Sequence, residues 1–154
     1  MAYLRSAGLQ VIPAAAGASY ETGDWTISMT FGSGGPGTNG GNYVLGQYTK
    51  LGNMVYVSAF WSLSSLNGGS GACYVSGFPY TIGNTNQGEY TAMSVGYGTG
   101  LAITASETIT ANMIRNSNYA TLRVWNSTGG VNTMDAGEMT ADGGGIISGS
   151  YFVD

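Results

Sequence analysis

From Trp25 onward, apolar and polar residues alternate with a period of two. Trp25, Ile27, Met29 and Phe31 are separated by Thr26, Ser28 and Thr30, the pattern of a strand with one buried face. Gly32 to Asn42 holds six glycines and Pro36 and reads as a loop. A strand follows over Tyr43 to Lys50, and Gly52-Asn53 supplies a hairpin turn from residues that tolerate positive φ. Met54 to Leu66 is the most informative strand. Val55, Val57, Ala59, Trp61 and Leu63 make a core face, and Met54, Tyr56, Ser58, Phe60 and Ser62 make the other. A solvated face should not carry Met, Tyr and Phe together, so a cover is expected over this second face.

Asn67 to Gly71 is a second glycine loop, Cys73 to Tyr80 a short strand ending at Gly77-Phe78-Pro79, and Asn84 to Gly88 a polar loop. Tyr90 to Tyr97 and Leu101 to Ala105 are expected to form a hairpin around Gly98 to Gly100. Thr108 to Arg115 and Tyr119 to Trp125 form another around Asn116-Ser117-Asn118. In the latter strand Ala120, Leu122 and Val124 face inward, while Tyr119, Thr121, Arg123 and Trp125 face away. Gly129 to Gly145 reads as a long loop, and Ile146 to Val153 as the closing strand. Eight or nine short strands, with turn signals every roughly 8–12 residues, predict an all-β domain. The expected architecture is an antiparallel β-sandwich, jelly-roll-like, with no helix longer than a turn or two.

The first 22 residues are weakly patterned, and Gly8, Pro13 and Gly17 interrupt any helical window. They predict a short extended N-terminal arm, residues 1–22, joined to a domain over 23–154. Gln10 and Pro13 break the apolar run from Leu9 to Ala16, and only Arg5 precedes it as a positive charge. That fits an arm better than a signal peptide.

Composition narrows the function. The 154 residues suit one domain; 27 are glycine, 12% are aromatic and only 8% are charged. Four basic residues cannot neutralise many phosphates, so no nucleic-acid partner is expected. Without histidine there is no Ser-His-Asp or Cys-His catalysis and no imidazole-held metal, so neither an enzyme nor a cofactor is expected. No stretch reaches the ~18 apolar residues of a spanning helix, so no membrane insertion is expected. Low charge with abundant Gly, Ser, Thr and Tyr suits a β protein that works outside a cell.

Several local patterns invite a chemical reading. Gly32-Ser33-Gly34-Gly35-Pro36-Gly37 matches G-x-G-x-x-G, but no helical pattern follows to present backbone N–H groups to a pyrophosphate, so it reads as a loop. Asp135, Glu138 and Asp142 lie close together on a glycine-rich stretch and offer a weak Ca²⁺ alternative, or simply solubilise the loop. Cys73 is either a small buried hydrophobe or an odd thiol available for an inter-chain disulfide. Asn126-Ser127-Thr128 is a glycosylation sequon, meaningful only in a eukaryotic secretory pathway. The aromatics are the richest material, because such rings stack on the apolar faces of sugars and suit protein recognition. Tyr119 and Trp125, by strand parity, and Tyr80, Tyr90 and Tyr97, near loops, are the candidates for receptor binding.

Four segments together resemble a recurrent C-terminal domain of bacteriophage tail fibres. Gly23-Asp24-Trp25-Thr26-Ile27-Ser28-Met29-Thr30 resembles its Gly-x-Trp-Thr-Pro-x-Leu-Thr opening, with Ile27 where proline is usual. Gln47 to Val55 resembles its step into the long strand, Tyr74-Val75-Ser76-Gly77-Phe78-Pro79-Tyr80 its Ile-Ser-Gly-Leu-Pro-Phe segment, and Ile147-Ser148-Gly149-Ser150-Tyr151 its final strand. The order and spacing agree over roughly residues 20–154. The resemblance implies a homotrimer in the phage virion that recognises a bacterial surface glycan or protein. Met54, Tyr56 and Phe60 would then lie at the trimer interface, and the arm would join the trimer to a tail or baseplate protein. A capsid decoration protein and a cellular carbohydrate-binding module are the competing readings.

Overall fold

The computed structural model describes residues 19–40, 45–85, 90–126 and 129–154. They form eleven strands: β1 (Tyr20–Thr26), β2 (Ser28–Ser33), β3 (Thr38–Asn39), β4 (Leu45–Leu51), β5 (Met54–Ser65), β6 (Ser70–Ser76), β7 (Thr91–Leu101), β8 (Thr108–Met113), β9 (Tyr119–Asn126), β10 (Gly130–Thr133) and β11 (Met139–Phe152). The helical content of the described residues is one 3₁₀ turn, Ala136–Glu138. The fold is the all-β antiparallel class expected.

The strands follow one hydrogen-bonded path, β1-β4-β5-β11-β7-β8-β9-β6-β2, with β10 added to β9 and β3 to β5. The two ends of the path are consecutive in the chain. Only Ile27 separates β1 from β2, so the sheet nearly closes on itself. One half consists of β1, β4, β5, β11 and the end of β7; the other of the start of β7, β8, β9, β6 and β2.

The expected strand over Trp25 to Phe31 is thus two. Trp25, Ile27 and Met29 stay buried in alternation. What changes at Ile27 is the hydrogen-bonding partner: β1 pairs with β4, β2 with β6. Side-chain parity records burial, not the partner, so periodicity passes through the crossover unchanged.

β5 behaves as its alternation requires. Val55, Val57, Ala59, Trp61 and Leu63 are buried, and the intervening residues lie outward. β11 runs antiparallel to it for nine registered pairs, Phe152 opposite Met54 through Gly144 opposite Ser62. Two expectations fail here. Gly129 to Gly145 is not one loop: it holds β10, the 3₁₀ turn and the first half of β11. Tyr90 to Ala105 is not a hairpin: β7 continues through Gly96 and Gly98 to Leu101, held against β11 with register shifts. The glycines of β11 serve packing. A Cβ on Gly145 would lie 2.4 Å from the Trp61 ring, so the indole lies where a side chain would stand.

The core gathers the inward residues of both halves, with Trp61, Tyr151, Ile27 and Met29 among its largest fully buried members. Three resemblance segments converge on it. Trp25 stacks on Phe78, centroids 4.8 Å apart, and Tyr151 meets Phe78 edge-on at 5.9 Å. The Tyr151 hydroxyl donates to the Tyr80 carbonyl at 3.1 Å and accepts from the Tyr80 N–H at 3.3 Å. Gly77 turns the chain into this clasp at φ +90, where a side chain would be strained.

Residues 1–18 of the expected arm lie outside the described residues. The boundary at residue 22 falls inside a strand, because Tyr20, Glu21 and Thr22 pair with Leu51, Lys50 and Thr49. Tyr43, most of the loop after Thr85, and Ser127 and Thr128 of the sequon also lie outside the described residues.

Candidate functional site

Two outer faces carry the exposed aromatic material. On the first half, strand register arranges the outward residues in rows. Tyr20, Leu51, Met54 and Phe152 are neighbours across β1, β4, β5 and β11, and all are exposed. Tyr56, half exposed at 50%, stands next to Thr49 and Ser150. Asp24, Gln47, Ser58, Ser148 and Ser94 form a polar row beyond it. Phe60, Ile146 and Tyr97 form a second apolar row, with the Phe60 and Tyr97 rings 6.2 Å apart. Met54, Tyr56 and Phe60 therefore share one face as the alternation predicts, and Tyr97 belongs with them. Reading Tyr97 as a hairpin residue hid this.

On the second half, β9 directs Tyr119, Arg123 and Trp125 outward. Trp125 is 50% exposed and lies between Thr108 of β8 and Val131 of β10. Arg123 follows one step along, between Thr110 and Thr133. Its Nε donates to the Asn112 amide oxygen at 2.7 Å, and its guanidinium also reaches the Thr133 hydroxyl at 2.5 Å. Thr121 also lies outward but is buried, between Tyr74 and Asn112 in the register. Tyr119 packs edge-on against Tyr74 at 4.9 Å. Parity had put Arg123 outward; its fixed geometry needs β10, which lies in the stretch read as a loop.

The other candidates separate. Tyr90 is exposed, with the Arg115 guanidinium carbon 5.3 Å from its ring centre. Tyr80 is half-buried. Its ring meets Tyr48 edge-on at 5.8 Å, Lys50 Nζ lies 5.6 Å from its ring centre, and the neighbouring Glu21 carboxylate holds its phenol well above the usual range. The Tyr48 hydroxyl donates to Glu21 and lowers that carboxyl. Tyr80 is thus tied into a network that pins β1 to β4.

The structure bears on two alternatives the sequence left open. Cys73 has no exposed surface, and its N–H donates to the Met134 carbonyl at 2.9 Å. Burial first, then Asp135 and Glu138, push its thiol up to about 12. A thiol so enclosed cannot meet another chain's thiol in this fold, which fits the small-hydrophobe alternative instead of an inter-chain disulfide. Asp135, Glu138 and Asp142 do not gather around a common point. Asp135 accepts from Gly137 N–H at 2.9 Å and Glu138 accepts from Asp135 N–H at 2.7 Å, a capping box on the 3₁₀ turn. Asp142 accepts from the Thr140 hydroxyl. Among the described residues, no group of three or more His, Cys, Asp or Glu side chains could hold a metal ion.

The arrangement defines an all-β domain with exposed aromatic faces and a clasped core. No family model matches the chain, and no curated protein matches it. Among solved structures, the crystal structure of the Dettilon tailspike protein shares its fold, with a TM-score of 0.73 and 21% identity. The match covers 86% of this chain and 24% of the tailspike chain, so the chain spans about a quarter of that protein's length. The likeness is one of fold.

Proposed function

We propose that the chain is a structural component of a bacteriophage tail, a fibre or spike domain. In this reading it assembles as a homotrimer in the virion and contacts a glycan or protein on the host cell surface. The observation that carries it is the fold shared with the Dettilon tailspike protein. The apolar rows on the outer face of the first half support assembly, since an exposed apolar face of this extent calls for a cover and a symmetry mate is the simplest one. Met54, Tyr56 and Phe60 then lie against sister subunits, and the residues that precede β1 join the trimer to a tail or baseplate protein. Tyr90, Tyr119 and Trp125 are the ligand-facing aromatics.

Light scattering and whole-cell binding test the proposal together. The expected native mass is about three times 15.8 kDa, and the labelled protein should bind some strains of a bacterial panel. A monomer that binds none of them would overturn the reading.

A further inference from the structure

Arg123 is a cation held by neutral groups. Its hydrogen-bond partners are an amide oxygen, Asn112, and a hydroxyl, Thr133. Among the described residues no carboxylate lies within ion-pair distance of it. Two of the five guanidinium N–H groups are engaged by these bonds, which fix the plane of the fork and leave donors for a further acceptor. The next outward residue on the same strand is Trp125, about 7 Å along. It stands on a β-sheet, flanked by Thr108 and Val131, with half its surface open.

Each part selects a chemistry. An open indole on the surface of a sheet offers a π-face to the C–H groups of a sugar ring. A fixed guanidinium recognises a planar, two-oxygen anion and prefers a carboxylate in bidentate geometry. A sugar bearing its carboxylate on the ring satisfies both at once: the ring rests on Trp125 and the carboxylate reaches Arg123. We propose that the outer face around Trp125 and Arg123 binds a carboxylated saccharide, of the uronic acid class. The inference rests on the receptor-binding reading above and names the ligand class for that surface.

The indoles make the test direct. Trp25 and Trp61 are 4% and 2% exposed, so a sugar added from solution can reach only Trp125. The full chain is titrated with oligogalacturonate and with a neutral oligosaccharide of the same length, following tryptophan fluorescence and calorimetric heat. The expected result is a saturable fluorescence change with the acidic oligomer and at least tenfold weaker response to the neutral one. Arg123→Gln should weaken the acidic oligomer at least tenfold and leave any neutral binding unchanged. Arg123→Lys should recover only part of the loss, because a point charge lacks the fork. Trp125→Ala should abolish the fluorescence change, and circular dichroism should show each variant folded.

Equal binding of acidic and neutral sugars, or acidic binding that survives Arg123→Gln, would overturn the proposal. So would binding of no sugar by a protein that still binds bacterial cells; that result would leave the receptor reading standing and move recognition elsewhere on the surface. Loss of cell binding in Arg123→Gln alongside loss of the acidic oligomer would support both.

Discussion

Cys73 sets a limit on how this chain can be cross-linked. It is the chain's one cysteine, it is wholly buried, and its pKa is pushed up to about 12 by burial and then by Asp135 and Glu138. The reactive species is the thiolate, which is scarce and enclosed here. A thiol reagent such as DTNB at pH 8 should therefore leave the folded protein unlabelled and titrate one thiol after denaturation. Native labelling at the rate of a free thiol would show that the fold opens at β6. The same shift has a sign in stability. The folded thiol stays neutral above the pH at which an unfolded thiol ionises, so its contribution is fully present below about 8.5 and is lost as pH rises towards 12. Chemical denaturation in steps across that window should show falling stability, with a shallower fall for Cys73→Ala.

At the scale of elements, the clasp between the Gly77–Tyr80 segment and β11 is the point where the resemblance motifs meet. Tyr151→Phe removes the hydroxyl that serves both the N–H and the carbonyl of Tyr80, and should cost about 1–3 kcal/mol in denaturant titration. Phe78→Ala empties the slot between Trp25 and Tyr151 and should cost about 3–5 kcal/mol. A loss below 1 kcal/mol for Phe78→Ala would show that these rings are not a joint. The β1 edge has its own pH dependence. The Tyr48 hydroxyl holds the Glu21 carboxyl below its usual value, so the bond's contribution is present above the unfolded pKa of about 4.3 and is lost as pH falls through the lower folded value. Hydrogen exchange at β1, corrected for intrinsic rate, should rise on acidification, and Glu21→Gln should remove that dependence. Much of this was legible in the sequence where one face of a strand is buried. β5 reads directly, and so do the outward positions of Arg123 and Trp125. Glycine misled at β7 and β11, because Gly145 is required by the Trp61 ring and not by a turn. Tyr80 misled because its ring packs against Tyr48 and Lys50 of β4, which are distant from it in sequence. The acids misled because Asp135 and Glu138, three apart, are a cap signature as much as a metal signature.

At the scale of the whole molecule, the two outer faces carry different chemistry. The first half carries apolar rows on either side of a polar one; the second carries an indole beside a cation. Burying the first face against sister subunits would leave the second free for ligand, which gives assembly and recognition separate residues. Substitutions should separate them. Phe60→Asp places a charge in the row shared with Ile146 and Tyr97, on the outer side of β5 and away from the core residues Ala59 and Trp61. It should yield monomers or insoluble protein, because a carboxylate enclosed between subunits without a partner is strongly unfavourable. Ile146→Asp, at an exposed position of the same row, should lower the native mass in the same way while circular dichroism stays that of the folded chain. Trp125→Ala, on the opposite half, should leave the mass at about three times 15.8 kDa. If Phe60→Asp and Ile146→Asp both keep a trimer of unchanged stability, the first face is not the interface. If Trp125→Ala alone dissociates the protein, the two faces have been assigned the wrong way round, and the indole is covered by a subunit instead of a sugar.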